Sequence, residues 1–175
     1  LITSSAASDV YKRQSSNRAI KNGFKMRDTF KIVKSFKRIQ KNKPVILMGY
    51  YNMVYQYGEY NFINDCKNSG VSGIICVDLP WPENKNFAKK CKKKSLNFIQ
   101  LLSPTTTRVR MKKILKDSHD MVYYISMLST TGGKLKVSPK TILKNYFKIK
   151  RISPKKNLVI AVSYTHLRAH ETTNY

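Results

Sequence analysis

An α/β fold of about five βα units, with all strands parallel, is what this sequence predicts. Three observations carry it. Short, almost wholly apolar runs begin near residues 44, 73, 97, 121 and 157, as strands covered on both faces should. Between them lie segments whose apolar residues recur three or four apart, the spacing of a helix with one buried face. No GxGxxG follows the first apolar run, which weakens a dinucleotide-binding reading. Units of this size fit a TIM (β/α)8 barrel, whose full length is about 250 residues. At 175 residues the chain is expected to be a partial TIM barrel, with an open doubly wound sheet as the alternative.

Each element has its own reason. Arg27–Ile39 reads as a helix through Phe30, Val33 and Phe36. Pro44–Tyr50 (PVILMGY) is the first strand. Tyr57–Ser69 follows as a helix with Phe62 and Cys66 four apart, stopped by Gly70. Gly73–Leu79 (GIICVDL) is the second strand, and Glu83–Ser95 a helix with Phe87 and Cys91 inward and lysines outward. Asn97–Leu102 (NFIQLL) is a strand. Arg108–Lys116 is a helix carrying Val109, Met111, Ile114 and Leu115. Met121–Ser126 (MVYYIS) is a strand. Ser138 then caps a helix with Pro139 at its first position, where proline is tolerated, and with Ile142, Leu143, Tyr146 and Phe147 inward. Asn157–Val162 (NLVIAV) is the last strand.

The two ends break this pattern. Residues 1–14 (LITSSAASDVYKRQ) are small and polar without a period, and lack the apolar run of a secretory signal. Residues 163–175 (SYTHLRAHETTNY) interrupt a strand without a turn signal. Both resemble translated adapter sequence, so residues 15–162 are expected to hold the barrel and the tails to be non-native. His166 and His170 stand four apart, but no third ligand follows at a metal-binding spacing. Cys66, Cys76 and Cys91 are too few and too far apart for a disulfide scaffold or a zinc site.

A net charge of +25 by itself suggests nucleic acid or a membrane surface. The lysines, including Lys89, Lys90, Lys92, Lys93 and Lys94, spread over outer helix faces and are not interleaved with exposed aromatics as a stacking platform requires. A solvated helix face is therefore the expectation, with no specific nucleic acid. No apolar run reaches the roughly 18–20 residues of a membrane helix, and no membrane partner is expected.

Chemistry in a parallel barrel collects at the carboxyl ends of its strands. Here those ends carry Tyr50-Tyr51-Asn52, Asp78-Leu79-Pro80, Ser103-Pro104-Thr105 and Ser126. Asp78 is the one carboxylate among them; it either caps the Leu79-Pro80 turn or serves function. Asn52 either satisfies loop backbone or meets a ligand. The stretch Met127–Val137 exceeds the usual 2–6 residues of such a loop, so it reads as a lid or a plain flexible loop, with Gly132 and Gly133 supplying a hinge or backbone amides that face an anion. No acid–base pair is visible. Glu59, Asp65, Glu83, Asp117 and Asp120 fall on helices or their ends, and His119 reads as a solvated cap.

Taken together, Y-x-N at Tyr50–Asn52, D-L-P at Asp78–Pro80, S-P-T at Ser103–Thr105, Y-Y-x-S at Tyr123–Ser126 and Thr131-Gly132 resemble the tryptophan synthase alpha chain. Asn17-Arg18-Ala19-Ile20 with Gly23 resembles that family's helix after its second strand. The resemblance covers residues 15–162. It implies a cytoplasmic lyase of tryptophan biosynthesis that cleaves indole-3-glycerol phosphate to indole and glyceraldehyde 3-phosphate. It also implies an alpha2-beta2 assembly with a beta chain carrying pyridoxal phosphate, and no cofactor in this chain. By position, Tyr50, Val77, Leu101 and Tyr123 match the substrate pocket, Thr131 and Gly132 the closing lid loop, and Asn52 and Asp78 the partner interface.

The departures have consequences. The family's two catalytic carboxylates precede residue 15, so no catalytic residue is assigned and the fragment is expected to be inactive. The family's G-V-T-G lid is Ser129-Thr130-Thr131-Gly132 here. Its phosphate-gripping glycines follow the seventh and eighth strands, beyond Val162. A basic nucleic-acid-binding protein and another phosphate-sugar barrel enzyme are the alternatives.

Overall fold

The computed structural model describes residues 14, 17–19, 21–125 and 138–161. Along them run α1 (Met26–Ile39), β1 (Ile46–Gly49), α2 (Tyr51–Tyr57), α3 (Glu59–Ser69), β2 (Gly73–Cys76) and α4 (Lys85–Lys93). Then come β3 (Asn97–Phe98), β4 (Gln100–Leu102), α5 (Arg108–Asp117), β5 (Met121–Ile125), α6 (Pro139–Ile152) and β6 (Asn157–Ala161). Every ladder is parallel.

β3 and β4 are the halves of the expected strand Asn97–Leu102, parted at Ile99. Ile99 N–H still donates to Ile74 O at 2.9 Å. The first half pairs back to β2, the second forward to β5. With β1 beside β2 and β6 beside β5, the strands follow one another in space in chain order. A doubly wound sheet reverses that order at a switch point. No reversal occurs among the described strands, and the barrel reading holds over the open sheet.

Alternation along each strand sorts the side chains onto two faces. Leu47, Ile74, Cys76 and Phe98 pack outward against α1, α3 and α4 through Phe30, Val33, Phe62, Ile63, Phe87 and Cys91. Leu102, Val122, Tyr124, Leu158 and Ile160 pack outward against α5 and α6 through Met111, Ile114, Leu115 and Ile149. The other face is concave and carries Ile46, Met48, Ile75, Ile99, Met121 and Val159. All helices in these two cores cover the same side, as in part of a barrel wall.

Several expectations change in detail. β1 is covered only on its outer face, and Met48 on the concave face is 55% exposed. The helix expected over Tyr57–Ser69 is two helices. Gly58 separates them with φ +86°, a conformation that only glycine adopts without strain, so one helix ends at Tyr57 and the next begins at Glu59. Gly70 ends α3 in the left-handed region at φ +87°, and Val71 N–H donates to Cys66 O at 2.9 Å, as expected of a glycine stop.

Three apolar helix faces are narrower than the sequence pattern predicts. Val109 is 67% exposed, because at 100° per residue it lies opposite the buried stripe Met111, Ile114 and Leu115. In α6 the buried centre is Ile149, so Leu143 and Phe147, more than 100° around the helix, are exposed. Phe36 lies about 90° from the Phe30–Val33 stripe and is also exposed.

Candidate active site

The carboxyl ends of the strands bring the expected pocket residues onto one face. Tyr50 continues the concave row of β1, Ile46 and Met48. Val77 continues that of β2, and its N–H donates to Gly49 O at 3.1 Å, which fixes it beside Tyr50 in the ladder. Leu101 of β4 is in register with Tyr123 of β5. Val77, Leu101 and Tyr123 are flanked by residues of the outer cores, Cys76, Leu102, Val122 and Tyr124, so their own side chains face inward. Val77 and Leu101 also line one cavity of about 300 Å³, together with Phe98, Ile99, Thr105 and Ile125. Tyr50 lies outside that cavity and is 61% exposed. Tyr123 is half-buried.

The polar residues are placed differently from expectation. Asp78 does not cap its own Leu79-Pro80 turn. Its Oδ1 accepts the N–H of Tyr51, at 2.7 Å, so it caps α2 on the neighbouring strand–helix unit. Asn52 is not in a loop but in the first turn of α2, exposed to solvent. Ser103 to Thr106 form a closed hydroxyl turn, in which Ser103 N–H donates to Thr106 Oγ1 at 3.0 Å. Thr107 then caps α5, its Oγ1 accepting from Arg110 N–H at 3.3 Å. Ser126, Thr131, Gly132 and the rest of the loop to Val137 lie outside the described residues, as do Val162, His166 and His170.

Among the described residues no group of three or more His, Cys, Asp or Glu side chains is disposed to hold a metal. No described helix is long and apolar enough to cross a membrane. The lysines of α4 lie on its exposed outer face, as expected of a solvated surface, and Lys90 pairs with Glu59. Burial works against the Glu59 carboxylate, but hydrogen bonds from Lys90 and Tyr51 outweigh it and hold its pKa below the usual range. The hydrogen bond from Tyr51 Oη to Glu59 at 2.5 Å in turn pushes the Tyr51 hydroxyl up to about 12. His119 is half-buried, with Nδ1 3.0 Å from Asp120 Oδ2, at the amino end of β5 and away from the concave carboxyl ends.

Two features escaped the reading of the residues. Asn84 and Gln100 form a buried amide pair, invisible because a glutamine in the middle of an apolar strand shows no partner in sequence. Trp81 is tied down by both side chain and backbone. Its Nε1–H donates to Asp117 at 2.7 Å, its carbonyl accepts from Arg110, and the Lys85 ammonium stands 4.9 Å from its ring centre.

The family model described as tryptophan synthase alpha chain matches residues 11–164. The chain belongs to the tryptophan synthase alpha chain family. A tryptophan synthase alpha chain of Pelagibacter ubique (strain HTCC1062) is 67% identical over 153 residues, which are 87% of this chain and 58% of that protein. That of Pyrococcus furiosus is 39% identical over 140 residues, 80% of this chain and 56% of that protein. The crystal structure of the alpha chain from Legionella pneumophila subsp. pneumophila superposes with a TM-score of 0.73 at 31% identity, over 85% of this chain and 53% of that one. A structure of the Pyrococcus furiosus tryptophan synthase a2b2 complex gives a TM-score of 0.72 at 36% identity, over 90% of this chain and 63% of that one. The chain thus spans somewhat more than half the length of these tryptophan synthase alpha chains, and forms part of their TIM barrel.

Proposed function

We propose that this chain is the central part of a lyase subunit that cleaves indole-3-glycerol phosphate to indole and glyceraldehyde 3-phosphate. The observation that carries the reading is the placement of Tyr50, Val77, Leu101 and Tyr123 on one concave face at the strand ends, within a member of this family. Their aromatic and branched side chains make an apolar wall suited to a flat indole ring, which is bound by area and shape. Thr131 and Gly132 belong to the loop that closes over the substrate in this reading. Closure of a barrel loop excludes water from the reacting bonds.

The reverse-aldol step needs a positioned acid and base. In this reading both are carboxylates that the family carries ahead of residue 15. Asp78, the carboxylate at the described strand ends, is engaged with the Tyr51 N–H, which supports giving it a structural and partner-facing role instead. Asn52, in the first turn of α2, and Asp78, which accepts the Tyr51 N–H at the start of that helix, face a beta chain in this reading. Pyridoxal phosphate belongs to that beta chain, and this chain needs no cofactor. The setting is the cytoplasm. In this reading residues 15–162 are the barrel part and residues 1–14 and 163–175 are non-native tails, although the family match runs a few residues into each, over 11–164.

Indole release from indole-3-glycerol phosphate tests the reading. The 175-residue chain is expected to release none, and the same chain extended by the preceding strands with their two carboxylates, and by the following ones with the phosphate site, is expected to turn over. Turnover by the 175-residue chain alone overturns the assignment of the carboxylates.

A further inference from the structure

We propose that Asn84 and Gln100 are a positioning pair that holds the loop Asp78–Trp81 in register with the concave wall at Leu101, and so couples the partner-facing surface to the substrate-facing one. This rests on the function proposed above. Asn84 closes the loop after β2 and starts α4, and is 1% exposed. Gln100 is on β4 and is 3% exposed.

Their carboxamides bond reciprocally. Asn84 Nδ2 donates to Gln100 Oε1 at 2.8 Å, and Gln100 Nε2 donates to Asn84 Oδ1 at 3.3 Å. Asn84 Nδ2 also donates to Leu79 O at 3.2 Å, and Asn84 N–H to Pro80 O at 3.0 Å. The residues it grips therefore follow Asp78 directly. At the other end, Gln100 points outward and its neighbour Leu101 inward, because side chains alternate along a strand.

A buried amide pair permits one good geometry, whereas an apolar pair in the same place can slide. Moving the loop without moving β4 would strand an amide group away from water, which is costly. Val77, Trp81, Asn84, Gln100 and Leu101 line the same cavity, so loop, pair and wall form one contiguous body.

The test uses the complete alpha chain containing these residues, with and without its beta chain. Asn84→Leu with Gln100→Leu removes both carboxamides together, so neither is left unpaired and only Leu79 O loses a donor, a cost small enough for the fold to be retained. Indole release by the alpha chain alone is expected to hold within about twofold, while its stimulation by the beta chain falls about tenfold. Exchanging the two, Asn84→Gln with Gln100→Asn, rebuilds the pair and restores the stimulation. Stimulation unchanged in the double leucine variant, or loss of basal and stimulated rates in equal proportion, overturns the proposal.

A second readout needs no activity. In the complete alpha chain, Asp78→Ala is expected to speed amide hydrogen exchange at Leu101 and Leu102 when the pair is present, and not in the double leucine background. An equal response in both backgrounds overturns the coupling. Absence of indole release from the unsubstituted complete chain counts against the function proposed above, and the exchange comparison then decides the pair by itself.

Discussion

The backbone N–H of Tyr51 donates to Asp78 Oδ1 across 2.7 Å, so the carboxylate that ends one strand caps the helix that follows its neighbour. A helix start has unpaired N–H groups and a positive dipole end, and a carboxylate there satisfies both. Asp78→Ala is expected to cost about 1 kcal/mol, as loss of such a cap does, and Asp78→Asn less. The shift of the urea midpoint checks this, and an unchanged midpoint for Asp78→Ala counts against the cap.

Gly58 and Gly70 both sit at positive φ. Gly58→Ala and Gly70→Ala are each expected to destabilise by about 1 kcal/mol, since an L side chain is strained in those regions. At Gly70 the added Cβ meets only the flexible stem of Lys37 at 3.2 Å, which can move, so the backbone sets the cost there. Denaturant midpoints of the two variants read it directly.

The Tyr51–Glu59–Lys90 chain gives stability two pH limits. Glu59 is held below its ordinary value in the folded state. Its contribution is present above the unfolded carboxylate pKa of about 4.3 and is lost as the pH falls through the folded value. Tyr51 is raised to about 12, chiefly by its hydrogen bond to Glu59. Its contribution is complete below the unfolded value of about 10 and is lost as the pH rises through about 12. Tyr51→Phe is expected to flatten the alkaline limb of a plot of urea midpoint against pH, and an unaltered limb would refute the link.

Cys66, Cys76 and Cys91 all lie in one core, between 0% and 4% exposed. Burial pushes the Cys66 and Cys76 thiols up to about 12, and Cys91 higher still. The thiolate is the reacting form, so all three are expected to resist a thiol reagent in the folded chain and to react together on unfolding. Rapid labelling of any one of them before unfolding contradicts this.

The concave face leaves Met48, Tyr50 and Val159 at 41% exposure or more. Exposed strand faces and edges favour association. The 175-residue chain by itself is expected to bind an apolar dye and to melt broadly. A sharp, cooperative transition of a soluble monomer would contradict that expectation.

Much of the fold was legible because its signals are local. The apolar run Gly73–Cys76 is buried at every position, as a strand under helices on one side and a barrel interior on the other must be. Phe62 with Cys66, and Phe87 with Cys91, mark the inner faces of α3 and α4 by spacing alone. Leu143 and Phe147 misled because apolar residues adjacent in a pattern need not share the side that packs. The four wall residues were legible only through the family resemblance, since Tyr50 and Leu101 carry no chemistry that distinguishes them in a single chain.

The sequence by itself determined the alternation of strand and helix, the stop at Gly70, the helix start at Ser138, and the membership of an alpha-chain family. Periodicity and capping act within a few residues, and motif order is read directly along the chain. Only the tertiary structure decided that the strands stand in chain order, that Asp78 caps α2 across 27 residues, and that Asn84 meets Gln100 across 16. Such pairings arise when parallel strands are brought side by side, and no local rule records which distant donor a buried acceptor will meet.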